Sequence, residues 1–341
     1  MMKKRYSVLI RTAGGITSSK ELGLGHIFRC INLAKKLKRH KIHFLVEDYG
    51  SVKEILNKNG FSNVSILKSG ISINEDIKSI EKIIEREKIQ MVIVDKYKIK
   101  KNYLKKLEKK ILLVYISDLN LKKISCDVLI NGFIGFENKI IKNKNQVMLL
   151  GPKFQILNPK FSMPKHVAKN YDILATFGGI DDSKIIEYFL ESLSHISKKL
   201  KVRCILGVAT RNSQKIKNFQ KNSHHKISVI NYTNNMKNEI EKCEFGFCAG
   251  GITSYEFASL KIPFAIISQN RHQLLTAKVW EKKKIAVNIG LPNKQNQKKL
   301  INLLEHISTG KKPKLIKHNQ IDGKGTLRIV KNIEKVLTQI N

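Results

Sequence analysis

Short apolar segments alternate with longer amphipathic segments along the whole chain. The short segments are rich in β-branched residues and have the length of buried strands, whereas the longer ones repeat apolar residues at helical spacing. This alternation is typical of βαβ units, in which helices cover a parallel sheet. The sequence therefore predicts an α/β protein built on parallel sheets.

Two series of strands follow one another. The first series is predicted at residues 6–11, 43–46, 64–67, 91–95, 112–117, 128–131 and 147–150. The second is predicted at residues 172–176, 202–206, 227–231, 245–248, 264–267 and 286–289. Prolines at Pro152, Pro159 and Pro164 interrupt regular structure between them. We therefore expect two Rossmann-like, doubly wound domains that face a central cleft, residues 1–157 and 158–341, the second with a closing C-terminal helix.

Composition is that of a soluble globular protein. Of the residues, 42% are hydrophobic and 27% are charged. The length of 341 residues is enough for two domains, each with its own core. No apolar run reaches the ~18 residues of a membrane span, and the apolar stretch after the basic N-terminus is too short for a secretory signal. The five cysteines are scattered and lack C-x-x-C spacing. We expect reduced thiols in a cytoplasmic protein, without a metal site or a cofactor.

The formal net charge of +37 has two interpretations. Clustered lysines and arginines bind polyanions such as nucleic acids or anionic membranes. A general abundance of Lys, Ile and Asn, as biased base composition produces, gives the same charge. The lysines are spread over predicted helix faces, and no basic motif with interleaved aromatic residues occurs. This distribution favours the compositional interpretation, and no nucleic-acid partner is expected.

The most informative turn is Gly23-Leu24-Gly25-His26, between the first strand and a helix predicted at residues 25–38. Glycines let the backbone approach a ligand closely, and a helix N-terminus offers unpaired amides to a phosphate. His26 would place a titratable imidazole beside that anion. The alternative is a plain tight turn with an incidental surface histidine.

Two further turns pair glycines with a Ser or Thr. One follows the first strand of the second series and the other follows its fourth strand; their glycines are Gly178, Gly179, Gly250 and Gly251. Two such turns can direct two helix N-termini at one pyrophosphate. Ordinary N-capping is the alternative, since Ser, Thr and Asp are preferred at helix N-termini.

Acidic residues lie at strand ends or in the same turns. Asp95, Asp118 and Asp181 could orient water or substrate there. None belongs to a recognisable set of metal ligands, and no metal requirement is predicted.

Five motifs in order resemble one family. They are G-x-G-H-x-x-R at residues 23–29, F-G-G-x-D at 177–181, A-G-G-x-T-x-x-E at 249–256, H-Q at 272–273 and D-G-K-G at 322–325. Together they resemble UDP-2,4-diacetamido-2,4,6-trideoxy-β-L-altropyranose hydrolase, the nucleotide-sugar hydrolase of pseudaminic acid biosynthesis. The resemblance implies a GT-B architecture, shared with the glycosyltransferase that adds N-acetylglucosamine to the peptidoglycan lipid precursor.

The resemblance also implies binding roles. The second domain would bind UDP, with the ribose hydroxyls on Glu256 and with Gln273 reaching the sugar hydroxyls or a phosphate. Donors to the diphosphate would be Gly250, Gly251, Ile252 and Thr253. Other substrate- or UDP-binding residues would be Gly25, Arg29, Tyr97, Gly178, Gly179 and Asp181. A solvated helix carboxylate is the alternative for Glu256, and a core-edge tyrosine for Tyr97.

The resemblance implies a catalytic role for His26. It would assist water in attacking the anomeric carbon, with inversion and departure of UDP. A neighbouring diphosphate, however, raises the pKa of a histidine. The alternative role of His26 is therefore that of an imidazolium that stabilises the leaving group.

The segment at residues 11–22 departs from the family, whose members carry an R-x-D-x-S pattern there. The aspartate is missing and a glycine-rich stretch replaces it, so the identity of the sugar is not determined by the resemblance. The leading hypothesis is a UDP-sugar hydrolase for nonulosonate synthesis. The second is a GT-B glycosyltransferase that uses a UDP-amino-sugar donor and associates with a membrane surface. The third, a binding protein for nucleic acid or membrane, rests on charge alone.

Overall fold

The chain folds into two compact units. The computed structural model describes residues 4–15, 23–96, 99, 101–107, 111–118, 124–137, 146–178, 184–207 and 212–340. Unit 1 comprises Met1–Pro159 together with Lys324–Asn341, and unit 2 comprises Lys160–Gly323.

Every predicted strand has a counterpart. Unit 1 contains β1 (Ser7–Gly14), β2 (Lys41–Asp48), β3 (Val64–Leu67), β4 (Met91–Asp95), β5 (Leu112–Ile116), β6 (Val128–Asn131) and β7 (Val147–Leu150). Unit 2 contains β8 (Tyr171–Thr176), β9 (Lys201–Ile205), β10 (Lys226–Ile230), β11 (Cys243–Cys248), β12 (Phe264–Ile267) and β13 (Val287–Gly290). The predicted α/β class with two Rossmann-like domains is confirmed.

Helices connect these strands. They are α1 (Gly25–Lys36), α2 (Val52–Lys58), α3 (Ile73–Glu87), α4 (Lys101–Lys105), α5 (Lys184–Leu193), α6 (Gln214–Asn222), α7 (Met236–Glu241), α8 (Ile252–Ser259), α9 (Arg271–Lys282), α10 (Lys294–Ser308) and α11 (Gly325–Ile340). A side chain caps the start of α3, α6, α7, α9 and α10. In α3, for example, Ser72 and Glu75 form a reciprocal capping box.

Both sheets are parallel, and in each the order in which successive strands are added reverses at the centre of the sheet. The order in unit 1 is β3-β2-β1-β4-β5-β6-β7, and in unit 2 it is β10-β9-β8-β11-β12-β13. Winding therefore changes direction between β1 and β4 and between β8 and β11. In open α/β sheets, ligands bind at the carboxyl ends of the strands beside such a switch point. The turns singled out in the sequence, after β1, β8 and β11, lie at these two places.

The last helix belongs to unit 1, whereas the sequence prediction assigned it to the second domain. Ile329 and Ile333 of α11 are fully buried in the same apolar cluster as Ile27 of α1. The hydroxyl of Thr326 donates to the carbonyl of Leu157 at 2.8 Å. An amphipathic pattern shows that a helix has an apolar face but does not show which sheet that face covers.

No helix within the described ranges combines the length and the apolar character needed to cross a membrane.

Candidate functional site

In unit 1, a histidine and two carboxylates meet at the carboxyl edge of the sheet. His26 is the second residue of α1, and its Nδ1 lies 2.7 Å from Oδ1 of Asp95, the last residue of β4. Asp95 is fully buried, while 12% of the His26 side chain is exposed. The strand register brings these residues together, because β1 and β4 are neighbours and Thr12 pairs with Asp95.

Arg29, one helical turn after His26, binds both carboxylates. Its Nε donates to Oδ2 of Asp95 at 2.8 Å, and its Nη1 donates to Oδ1 of Asp118 at 2.8 Å. Asp118 lies just beyond β5, and 30% of its side chain is exposed. Its Oδ2 lies 3.7 Å from Nε2 of His26. The predicted pair His26 and Arg29 is therefore joined to Asp95 and Asp118, two of the three aspartates expected at this type of edge.

The charges of this cluster favour a protonated His26. Burial disfavours the imidazolium, but the negative charges of Asp95 and Asp118 outweigh burial and raise the pKa of His26. Burial also disfavours the Asp95 carboxylate, yet Arg29 and His26 lower the pKa of Asp95. With both aspartates and Arg29 ionised, an imidazolium makes the net charge of the four groups zero. The arrangement can therefore hold a positive charge on a partly exposed imidazole.

In unit 2, the glycine turn after β11 packs against the start of α9, and the turn after β8 is bonded to Gln269, just before that helix. Gly178 has a φ of +96°, a left-handed conformation that favours glycine. A Cβ at Gly250 would lie 3.0 Å from the carbonyl oxygen of Gln273, so the backbone passes α9 closely. Gly251 is the N-cap of α8, and no side chain caps that helix. The amide of Ser254 donates to the carbonyl of Gly251 at 3.3 Å, so within the described residues the amides of Ile252 and Thr253 are left for another acceptor, as a bound anion would provide.

Gln269, a residue that the sequence analysis missed, connects these turns. Its Nε2 donates to the carbonyl of Phe177 at 2.6 Å, and its Oε1 accepts from Nε2 of Gln273 at 3.0 Å. Oε1 of Gln273 accepts from the amide of Gln269 at 2.8 Å. The signal that could have found Gln269 is its place at the carboxyl end of β12, the edge where the other candidates lie.

Glu256 lies in α8, six residues after Gly250, and is half-buried. Burial raises the pKa of its carboxyl to about 7. Within the described residues, the carboxyl has neither an ion pair nor a hydrogen bond. A half-buried acid of this kind is suited to accept hydrogen bonds from a ligand hydroxyl.

The other predicted residues divide into two groups. Ile252 and Thr253 form the half-buried first turn of α8, and Gly25 is the exposed first residue of α1. Tyr97, Gly179 and Asp181 lie outside the described residues.

A second buried charge cluster in unit 1 was not predicted. Arg11 of β1 is fully buried, and its guanidinium bonds Asp76 at 2.7 Å and Glu47 at 2.9 Å. Lys96, directly after Asp95, bonds the same two carboxylates at 2.9 and 3.0 Å. The cluster therefore ties β1, β2 and α3 to the turn that follows the β4 carboxylate.

No group of three or more His, Cys, Asp or Glu residues with the geometry of a metal site occurs among the residues that the structure describes.

Comparison with known proteins agrees with this fold. The family model for the glycosyltransferase family 28 C-terminal domain matches residues 173–333. The spore coat polysaccharide biosynthesis protein SpsG of Bacillus subtilis is 25% identical over 334 residues, which cover 94% of this chain and 96% of SpsG.

Solved structures give the same result. Acinetobacter baumannii MurG superposes with a TM-score of 0.67 at 14% identity, over 96% of this chain and 99% of MurG. A UDP complex of S. aureus MnaA gives a TM-score of 0.63 at 14% identity, over 98% of this chain and 97% of MnaA. The two Rossmann-like domains are thus those of the predicted GT-B fold, while the predicted cleft stays a prediction.

Proposed function

We propose that this protein is an enzyme of glycan biosynthesis that hydrolyses a UDP-linked 2,4-diacetamido-2,4,6-trideoxy hexose to UDP and free sugar. The observation that carries the proposal is the hydrogen bond between His26 and the buried Asp95, at the switch point of the unit 1 sheet. The order of the five sequence motifs supports the choice of reaction and of sugar class. The UDP in the MnaA structure supports the choice of nucleotide, and the role of SpsG in spore coat polysaccharide biosynthesis supports the type of pathway.

Unit 2 would bind the nucleotide. The amides at the start of α8 and the turns at Gly178 and Gly250 would hold the diphosphate. Glu256 would accept hydrogen bonds from the ribose hydroxyls. Gln273, oriented by Gln269, would contact a phosphate or the sugar.

His26 would act at the anomeric carbon. The oxygen of water bonds to that carbon while the bond from carbon to the diphosphate oxygen breaks, the bonding electrons leave with UDP, and the attacking water releases one proton to the solvent. The raised pKa of His26 supports the imidazolium as the working form, because a cation stabilises the charge that develops on the leaving group.

The test is an NMR time course with a panel of UDP-linked deoxy-amino sugars and no acceptor. We expect UDP and free sugar to form together with one donor, and we expect His26→Gln to lower turnover by about a hundred- to ten-thousandfold. Turnover of His26→Gln close to that of the parent would exclude His26 from the mechanism.

A glycosyltransferase is the second candidate. The match to the glycosyltransferase family 28 C-terminal domain favours it, because that region includes the whole proposed nucleotide-binding part. Both reactions break the same bond and need the same donor site. Release of UDP only when a carbohydrate or lipid-linked acceptor is added, with the sugar bonded to that acceptor, would select this candidate.

A further inference from the structure

One surface of unit 2 combines exposed lysines with an exposed apolar side chain. Residues 311–318, between α10 and α11, have no regular secondary structure and lie against the end of α8. They border a hollow of about 340 Å³ that also reaches Phe264 and Ile285, at the amino-terminal ends of β12 and β13. The glycine turns of the proposed nucleotide site follow the carboxyl ends of the strands, so the two features lie at opposite ends of the strands of this sheet.

Positive charge dominates this surface. The hollow is lined by Lys261, Lys314, Lys317 and His318, and no acidic residue is among the described side chains that line it. The amide of Ile316 donates to the carbonyl of Lys284 at 2.7 Å, which adds Lys284, two residues after the end of α9, to this surface. Lys311 and Lys312 precede the hollow along the chain, and Lys312 bonds Glu244 at 2.6 Å. This surface therefore has six exposed lysines, of which Lys312 is paired with a carboxylate.

An apolar side chain lies among these cations. Ile316 is 56% exposed, between Lys314 and Lys317. Insertion of a branched aliphatic side chain at the boundary between head groups and acyl chains lowers the free energy. From that depth, the stems of lysine side chains extend to the head groups. Lysines near an anionic leaflet are attracted to its surface potential.

We propose that this basic surface, formed by Lys261, Lys284, Ile316 and the lysines of residues 311–317, docks unit 2 on an anionic lipid bilayer. A bilayer suits the surface better than a nucleic acid does, because its charged residues include no arginine and residues 311–318 contain no Phe, Tyr or Trp on which a base could stack. The segment is also neither a helix nor a strand that could enter a groove. The inference does not depend on the proposed reaction. Docking through the amino-terminal ends of the strands does not involve the glycine turns, which lie at the carboxyl ends of the strands of the unit 2 sheet.

The test is co-sedimentation of the full chain with vesicles at physiological salt. We expect binding to vesicles of phosphatidylcholine with phosphatidylglycerol and none to phosphatidylcholine alone. The double substitution Lys314→Glu/Lys317→Glu should weaken the partition coefficient by at least about tenfold. Ile316→Ser, which keeps every charge, should also weaken it.

The matched control is Lys217→Glu/Lys221→Glu. These two exposed lysines lie on α6, which packs at β10, the sheet edge opposite β13, and the net charge changes by the same amount. We expect this control to bind vesicles like the parent, and melting curves of all variants should match the parent. Equal losses in both double variants would show that net charge alone attracts the protein and would overturn the proposal. Binding to duplex DNA or RNA that depends on Lys314 and Lys317, without binding to vesicles, would overturn it as well.

Discussion

At the residue scale, the protonation of His26 depends on a carboxylate that is distant in sequence. Asp95 contacts Nδ1 of His26 and is held by Arg29, so its charge is fixed beside the imidazole. Of the groups that raise the pKa of His26, Asp95 has the largest effect, and Asp118 follows. The imidazole is therefore tuned mainly from the side that faces the sheet.

Asp95→Asn should lower the pKa of His26. The substitution removes a negative charge and keeps the shape of the side chain, so burial and Arg29 then disfavour the imidazolium. An NMR titration of the His26 ring protons measures the change, and the resonances of the other nine of the 10 histidines serve as the internal control. If the imidazolium is the working form, the pH above which turnover falls should move down with this pKa. An unchanged pKa would contradict the role given to Asp95.

Glu256 should make UDP binding depend on pH. Its carboxyl, with a pKa of about 7, must be deprotonated to accept hydrogen bonds from both ribose hydroxyls. Affinity should therefore be full above pH 7 and weaken as the pH falls, by about tenfold between pH 8 and pH 6. Isothermal titration calorimetry with UDP over this range measures it. In Glu256→Gln the slope should disappear, and an equal slope in that variant would assign the pH dependence to another group.

At the element scale, the unit 2 turns work because glycine lets α9 approach. A Cβ at Gly250 would press on the backbone of Gln273, whereas a Cβ at Gly251 meets no atom within 4 Å. Gly250→Ala should therefore lower the free energy of unfolding by about 1–3 kcal/mol. Gly251→Ala is the matched control, and as an N-cap change it should cost less than about 1 kcal/mol. Urea unfolding of the three proteins compares them, and equal losses would show that the close approach does not matter.

The elements themselves were predictable from the sequence, because strands buried on both faces read as short apolar runs and helices as amphipathic ones. The position of His26, Gly178 and Gly250 at switch points was predictable for the same reason, since these turns follow strands in a regular βαβ order. Partner choice was not predictable. The bond from His26 to Asp95 depends on the order of strands in the sheet, which local patterns do not contain.

Side-chain networks were the least accessible to sequence reasoning. Arg11 was predicted as the end of the first strand and the start of a segment that departs from a family pattern, yet it lies buried between Asp76 and Glu47. Gln269 showed no motif, although it orients Gln273. The ion pairs of Arg11 join residues far apart in the chain, and a single sequence records no such pairing. Gln269 and Gln273 are only four residues apart, but no motif marks them as a pair.

At the scale of the whole molecule, each unit carries one part of the proposed chemistry. Unit 1 holds the charged cluster around His26, and unit 2 holds the glycine turns with Glu256 and Gln273. The final helix, which the sequence prediction placed with the second domain, completes the core of unit 1. A truncated chain that ends before Lys324 would therefore expose the apolar face of α1, and studies of unit 1 alone need α11.

The central claim is that water attacks the anomeric carbon of a UDP-sugar. The most direct measurement is mass spectrometry of the products after turnover in ¹⁸O-labelled water with no acceptor present. The account predicts one labelled oxygen in the free sugar and none in UDP, because the bond from carbon to oxygen is the one that breaks. Label in UDP would place the attack at phosphorus, and release of neither product without an acceptor would mean that the protein transfers the sugar; either result would contradict the account.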